Sequence, residues 1–354
     1  LIRGANFLAA VTLIKVFQLP GQPASLATYG LLWAGLDNIF LLVAVASLML
    51  RDKRLIIRPR YMHRDALVDI LGTFGWNTGV QLSMAAIEKL PPFILNLMIG
   101  PIANTIWGVV YRLASYVRMV TIGVQFGADS VSAKLSAGND EHATRRVRQY
   151  MTNQTRLNAL VALPAGLIMF ILARPLLDAW IGHKLQNPQA ILAPAAIMTR
   201  ILAIAIVTRA VSEGWITVLY GAGFVHRYAP VIFVGGILSP LLGIAMVWLL
   251  PDHLKVQGPA LAFMFVVSSV YLFGSRCVEQ SYFHMLAPML RPILVAAVAS
   301  PTLFAGRMLE PGSINQVLIP IVTFGLLYGS LAFFIVLNSR ERHRIFALLP
   351  MSPS

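Results

Sequence analysis

The chain has 354 residues, of which 57% are hydrophobic and only 12% charged, and its mean hydropathy is +0.73. That composition excludes an ordinary soluble domain. The net charge of +14 would point to nucleic acid in a soluble protein, but cytoplasmic loops of membrane proteins collect Lys and Arg, so no nucleic-acid partner is expected.

Taken in chain order, apolar periodicity predicts about ten helices long enough to cross ~30 Å of hydrocarbon. They cover roughly 4–19, 26–50, 66–99, 102–134, 157–180, 187–220, 228–250, 257–275, 288–308 and 316–338, and a basic tail follows Asn338. Pro20, Gly21 and Pro23 end the first. Pro91-Pro92 remove two backbone donors from the third, which should bend or break it. The chain opens with Leu1, and Arg3 sits beside an apolar run, so further sequence is expected upstream. Cys277 is the single cysteine, which rules out an intrachain disulfide.

The connections fix an orientation. Segments 51–65, 134–156, 221–228, 276–291 and the tail carry 6, 5, 1, 2 and 3 Lys plus Arg. The alternate set, around 20–26, 99–102, 174–186, 251–256 and 307–315, carries 0, 0, 2, 1 and 1. By the positive-inside rule the first set and the C-terminus are cytoplasmic. No connection is long enough to hold a soluble domain, and no internal repeat stands out.

No nucleophile elbow, zinc-protease helix, phosphate loop or Cys-x-x-Cys occurs, so no catalytic residue, metal site or cofactor is expected. The seven His lie scattered near segment edges and read as interfacial polar residues.

The charges inside apolar segments are the informative set, because such residues face a bundle interior or a wet cavity. At helical spacing Asn104, Tyr111, Ser115, Arg118, Gln125, Asp129 and Ser132 share one stripe of segment 102–134. Segment 66–99 carries Asp69, Thr73, Asn77, Gln81 and Glu88. Segment 187–220 carries Arg200, then Arg209 and Glu213 at i, i+4. These residues predict a mostly cationic cavity for an anionic or strongly polar cargo, since guanidinium groups bind phosphate oxygens in pairs. Its expected lining is Arg118, Arg112, Glu88, Asn77, Gln81, Gln125, Arg200 and Arg209. Asp37, Asp129 and Glu213 are expected as ion-relay groups. Two readings stay open for Arg112, cavity or outer interface, and two for Arg209 and Glu213, cargo contact or mutual neutralisation. Glu88 and Lys89 point about 100° apart and are not a direct pair. In 138–156, Asp140 and Glu141 favour the start of a basic amphipathic helix whose Arg145, Arg146 and Arg148 face anionic lipid.

The runs NTGVQLSMAAIEKLPPFILNLMIGPIANTIWGVVYRLASYVR, FGADSVSAKLSAGNDE, LPAGLIMFILARPLLDAWIG and VQGPALAFMFVVS resemble polysaccharide-exporter and lipid-linked oligosaccharide (O-antigen) flippases. These belong to the multidrug/oligosaccharidyl-lipid/polysaccharide superfamily. The resemblance covers most of 66–280. It implies an all-α polytopic membrane protein of about ten spans. Residues 1–65 would be the last two helices of a first lobe with its basic linker. Residues 66–285 would be a complete six-helix second lobe, and 286–354 two added C-terminal helices with the tail. It further implies a non-enzymatic transporter of a bacterial inner membrane that flips a polyprenyl-pyrophosphate-linked oligosaccharide by alternating access, driven either by an ion gradient (H+ or Na+) or by downstream consumption, with membrane lipids as its other partners. Arg112 and Arg118 match the family's basic position. Glu88 stands where Asp is more usual, and Pro91-Pro92 departs from the pattern, which bears on ion coupling. The rival of the same fold is a cation-coupled multidrug exporter, against which the excess of buried Arg argues. A membrane-embedded glycan polymerase or ligase is the rival of another class. It would call for a sizeable outer loop with acids or His, whereas the outer connections here are short, the longest carrying only Arg174, Asp178, His183 and Lys184.

Overall fold

The structure, a computed structural model, describes residues 23–52, 63–137, 141–184, 188–277, 282–305, 315–339 and 341–342. The segment expected at 4–19, most of the basic stretch 51–65 and most of the tail lie outside the described residues. Among the described residues the chain is helical, with no strand. Contacts divide the chain into two units, Leu1–Ile70 and Leu71–Ser354.

Helix α1 (Pro23–Arg51) belongs to the first unit. Helix α2 (Arg64–Met98) carries the chain into the second. Of the bend or break expected at Pro91-Pro92, the break does not occur, and the helix runs through them. The φ of proline fits a helix, and buried Ile87, Ile94 and Leu95 hold the segment on both sides of the pair. Gly100, with φ +123°, then ends it: the amides of Ile99 and Gly100 both donate to the Leu95 carbonyl. Pro101 starts α3 (Pro101–Gln125) at once. This is the expected grammar of a helix stop and start.

The single segment expected over 102–134 is two helices. Gly127 adopts φ +81° and separates α3 from α4 (Ala128–Ser136). The break leaves the last carbonyls of α3 without helical partners, and the Gln154 side-chain amide donates to that of Val124 at 2.9 Å. The next helix, α5 (Glu141–Ile171), starts well before the expected residue 157. Its early turns bury Ala143, Val147, Met151, Gln154, Thr155 and Asn158. Three of these six are polar, so the buried face is plain at helical spacing yet weak in hydropathy. After a break at Leu172 comes α6 (Ala173–Ile181).

Helix α7 (Pro188–Gly221) is the axis of the second unit. It packs against α3, α4, α5, α6 and α9 (Gly258–Cys277). It is apolar nearly all round, with Leu202, Ile206, Val211 and Trp215 buried, as a central helix should be. Helix α8 (Val225–Leu249) lies along α9 and presses on α2: a Cβ on Gly236 would stand 2.8 Å from the Ser83 Cα. Helices α10 (Tyr282–Ala299), α11 (Pro301–Phe304) and α12 (Asn315–Ile335) form a second apolar cluster around Leu172, Val295, Leu303 and Phe324.

Among the described residues, six helical stretches are long and apolar enough to cross a membrane: Ala34–Arg51, His142–Ile171, Pro188–Gly221, Val225–Leu249, Ala287–Phe304 and Asn315–Ile335. Helices α2 and α3 are not among them. Asn77, Gln81, Glu88 and Lys89 on one, and Arg112 and Arg118 on the other, lower their hydropathy. Large apolar side chains such as Leu249, Leu326 and Phe334 are exposed on the outer helices. Such surface is costly in water and suited to lipid. The architecture is that of a helical, membrane-embedded protein.

Pro164, inside α5, cannot donate to the Leu160 carbonyl four residues back. The Tyr328 hydroxyl of α12 donates to it instead, at 2.8 Å. Tyr328→Phe is therefore expected to lower stability by about 1–3 kcal/mol, because it leaves a half-buried carbonyl unpaired. In a Pro164→Ala background, where the helix supplies its own donor, the same change should cost clearly less. Unfolding in detergent of the four proteins checks this; equal losses in both backgrounds would show that the hydroxyl acts otherwise.

Candidate functional site

Three helices of the second unit bring charges to one place. Glu88 comes from α2, Arg118 from α3, and Arg209 with Glu213 from one face of α7. Glu213 accepts from Arg118 (Nη2 to Oε1, 2.9 Å) and from Arg209 (Nε to Oε1, 2.7 Å). Glu88 accepts from Arg118 (Nη1 to Oε1, 3.2 Å) and from Arg209 through Nη2. The Tyr111 hydroxyl donates to the other Glu88 oxygen at 3.0 Å. Each carboxylate is shared by both guanidinium groups, so the four charges alternate and cancel. Removing single ions from water would cost several kcal/mol each; the closed arrangement offsets this by satisfying both signs. The depth is uneven. The Arg209 side chain is 4% exposed, whereas that of Arg118 is 29% exposed.

That exposed side of Arg118 opens on a cavity of about 530 Å³, within the range of small-ligand sites. Asn77, Gln81, Glu88 and Lys89 line it from α2, and Arg118, Ile122 and Gln125 from α3. Arg209, Glu213, Thr217 and Tyr220 line it from α7, with Asp129 of α4 and Tyr228 of α8. By helical rise the floor along α2 from Lys89 to Asn77 spans about 18 Å. The charge cluster lies towards the Lys89 end. Gln125, Asp129 and Tyr220 lie towards the other.

Of the expected lining, Arg118, Glu88, Asn77, Gln81, Gln125 and Arg209 meet here, as do Asp129 and Glu213. Arg112 does not. It follows Arg118 by six residues in reverse, which on a helix turns it well away, and it is exposed with its Nε 3.4 Å from the Tyr116 hydroxyl. Arg200 is half-buried on α7 but lies about 13 Å along the axis from Arg209, outside the cavity. Asp37 lies exposed on α1, in the first unit, whereas the cavity belongs wholly to the second. The side chains of Asp69 and Thr73 lie outside the described residues. Gln125 reaches the cavity yet donates to the Ala210 carbonyl at 3.3 Å, and Ser132 donates to the Val218 carbonyl at 2.6 Å; both tie α3 and α4 to α7.

The expectation of a mostly cationic cavity is corrected. Lys89, Arg118 and Arg209 are matched by Glu88, Asp129 and Glu213. The Arg209–Glu213 pair at i, i+4 takes the neutralising reading that the sequence left open, whereas the other three pairings join residues 30, 95 and 121 positions apart. Sequence reading also passed over Lys89, Thr217 and Tyr220. The last two had a signal, since Arg209, Glu213, Thr217 and Tyr220 follow steps of four, four and three.

Chemically, the cavity offers amide, hydroxyl and charged groups to a polar ligand inside an apolar bundle. A scan against protein-family models and a search of curated proteins both find no match for this chain.

Arg209→Met should cost about 3–5 kcal/mol, because two largely buried carboxylates then share one guanidinium. Adding Glu213→Gln should return most of that loss. Denaturant unfolding in detergent of both single variants and the double variant checks this; purely additive losses would contradict a closed cluster.

Proposed function

We propose that the chain is the core of a membrane transporter that flips a polyprenyl-pyrophosphate-linked oligosaccharide across a bacterial inner membrane by alternating access. The single observation behind this reading is the polar cavity that opens among the helices of a largely apolar bundle. A glycan headgroup with two phosphates would lose many hydrogen bonds in bare hydrocarbon, and the cavity replaces them while the lipid tail stays in the bilayer. The distribution of Lys and Arg supports an inward C-terminus, and in that orientation the Asn77–Tyr220 end of the cavity would face the cytoplasm. In this reading the four-charge cluster floors the cavity and holds α2, α3 and α7 together. A change of access would have to rearrange it, since it joins all three.

A second reading has one observation in its favour. Glu88, Asp129 and Glu213 line the cavity, so the argument from surplus arginine against a cation-coupled drug exporter no longer holds.

The two separate in one assay. Expressed in a bacterium lacking its own flippase, the protein should restore surface glycan. Full membrane insertion without any glycan would contradict flipping, and a gain of resistance to cationic drugs in the same cells would favour export.

A further inference from the structure

Six charged side chains line the cavity, and four of them are committed to one another through short ion pairs. The other two, Lys89 and Asp129, have neither a hydrogen bond nor an ion pair among the described residues. They stand towards opposite ends of the cavity. Lys89 follows Glu88 on α2. Asp129 lies beyond Gln125, itself about 10 Å along α3 from Arg118.

We infer that Lys89 is the cation that meets the anionic group of the cargo, and that Arg118 and Arg209 build the floor beside it. This rests on the transporter reading above for there being a cargo at all. An arginine already shared between two carboxylates has little charge left to offer, and taking it for a third anion would strand a carboxylate in a poorly solvated place. The ammonium group of Lys89 carries three donors with no acceptor among the described residues. A cation that lines the cavity without a counter-ion among the described residues gains more from an arriving anion than one already paired. The uncommitted charge of Asp129 repels that anion from the far end. The cavity is thus polarised lengthwise. A phosphate or pyrophosphate group is held at Lys89, and the hydroxyl-rich part of the same molecule lies along Asn77, Gln81, Thr217 and Tyr220. In the sequence Lys89 is only a neighbour of Glu88 that points about 100° away from it. The cluster changes its standing, since it removes both arginines from the pool of available cations.

The test uses the whole chain in nanodiscs of zwitterionic lipid, with inorganic pyrophosphate as the probe and calorimetry as the readout at low salt. Lys89→Gln should weaken binding by about tenfold or more, the loss expected for a charged hydrogen bond, with the melting temperature unchanged. Lys89→Arg should keep binding. Arg145→Gln, on the exposed face of α5, should bind as the parent does. Parental affinity in Lys89→Gln would overturn the inference while leaving an anion-binding cavity intact. Loss in Arg145→Gln alone would overturn it too, by placing the anion at the surface. No binding by the parent protein would be a different failure. It would remove the anionic cargo itself, and the role of Lys89 with it.

Discussion

Four charges from three helices hold the centre of this protein together. Glu88, Arg118, Arg209 and Glu213 alternate in sign, and each carboxylate is reached by both arginines. None of the four would be tolerable alone among apolar helices. Together they are formally neutral, and they fix where α2 and α3 stand against α7. The same four residues line the cavity that opens between these helices.

The same constraint acts on the backbone. In an apolar surrounding every carbonyl needs a donor, and this chain is rich in residues that break the helical ladder. Pro164 orphans the Leu160 carbonyl, and Tyr328 serves it. The break at Gly127 orphans the end of α3, and Gln154 serves that. Each repair comes from another helix, so each irregularity becomes a tertiary tie. Arg156 works in the same way, pairing with Glu341 and reaching the Val336 carbonyl just past α12.

Much of this was legible in the sequence. Apolar length gave α7, α8 and α12 to within a few residues, because their hydropathy is uniform. The polar stripes named most of the cavity, since Asn77, Gln81 and Glu88 can share one helical face only if something polar lies opposite. What failed did so for identifiable reasons. The start of α5 was hidden because its buried face includes Gln154, Thr155 and Asn158. Gly127 broke a stripe that spacing alone carried through to Ser132. The charge of the cavity was misjudged because pairing between residues 30 to 121 positions apart is a property of the fold, and periodicity within one helix does not contain it.

That the cavity is wet inside an apolar bundle is the claim on which the functional reading stands, and thiol labelling tests it most directly. With Cys277 replaced, single cysteines would be placed at Gln81, which lines the cavity, and at its neighbour Leu82, which is 71% exposed and not part of the lining. In intact membranes a polar maleimide needs a hydrated thiolate to react. A wet cavity predicts rapid labelling at position 81 and almost none at 82, where the side chain meets lipid. Labelling at 82 with silence at 81, or equal rates at both, would contradict a water-filled cavity within the membrane.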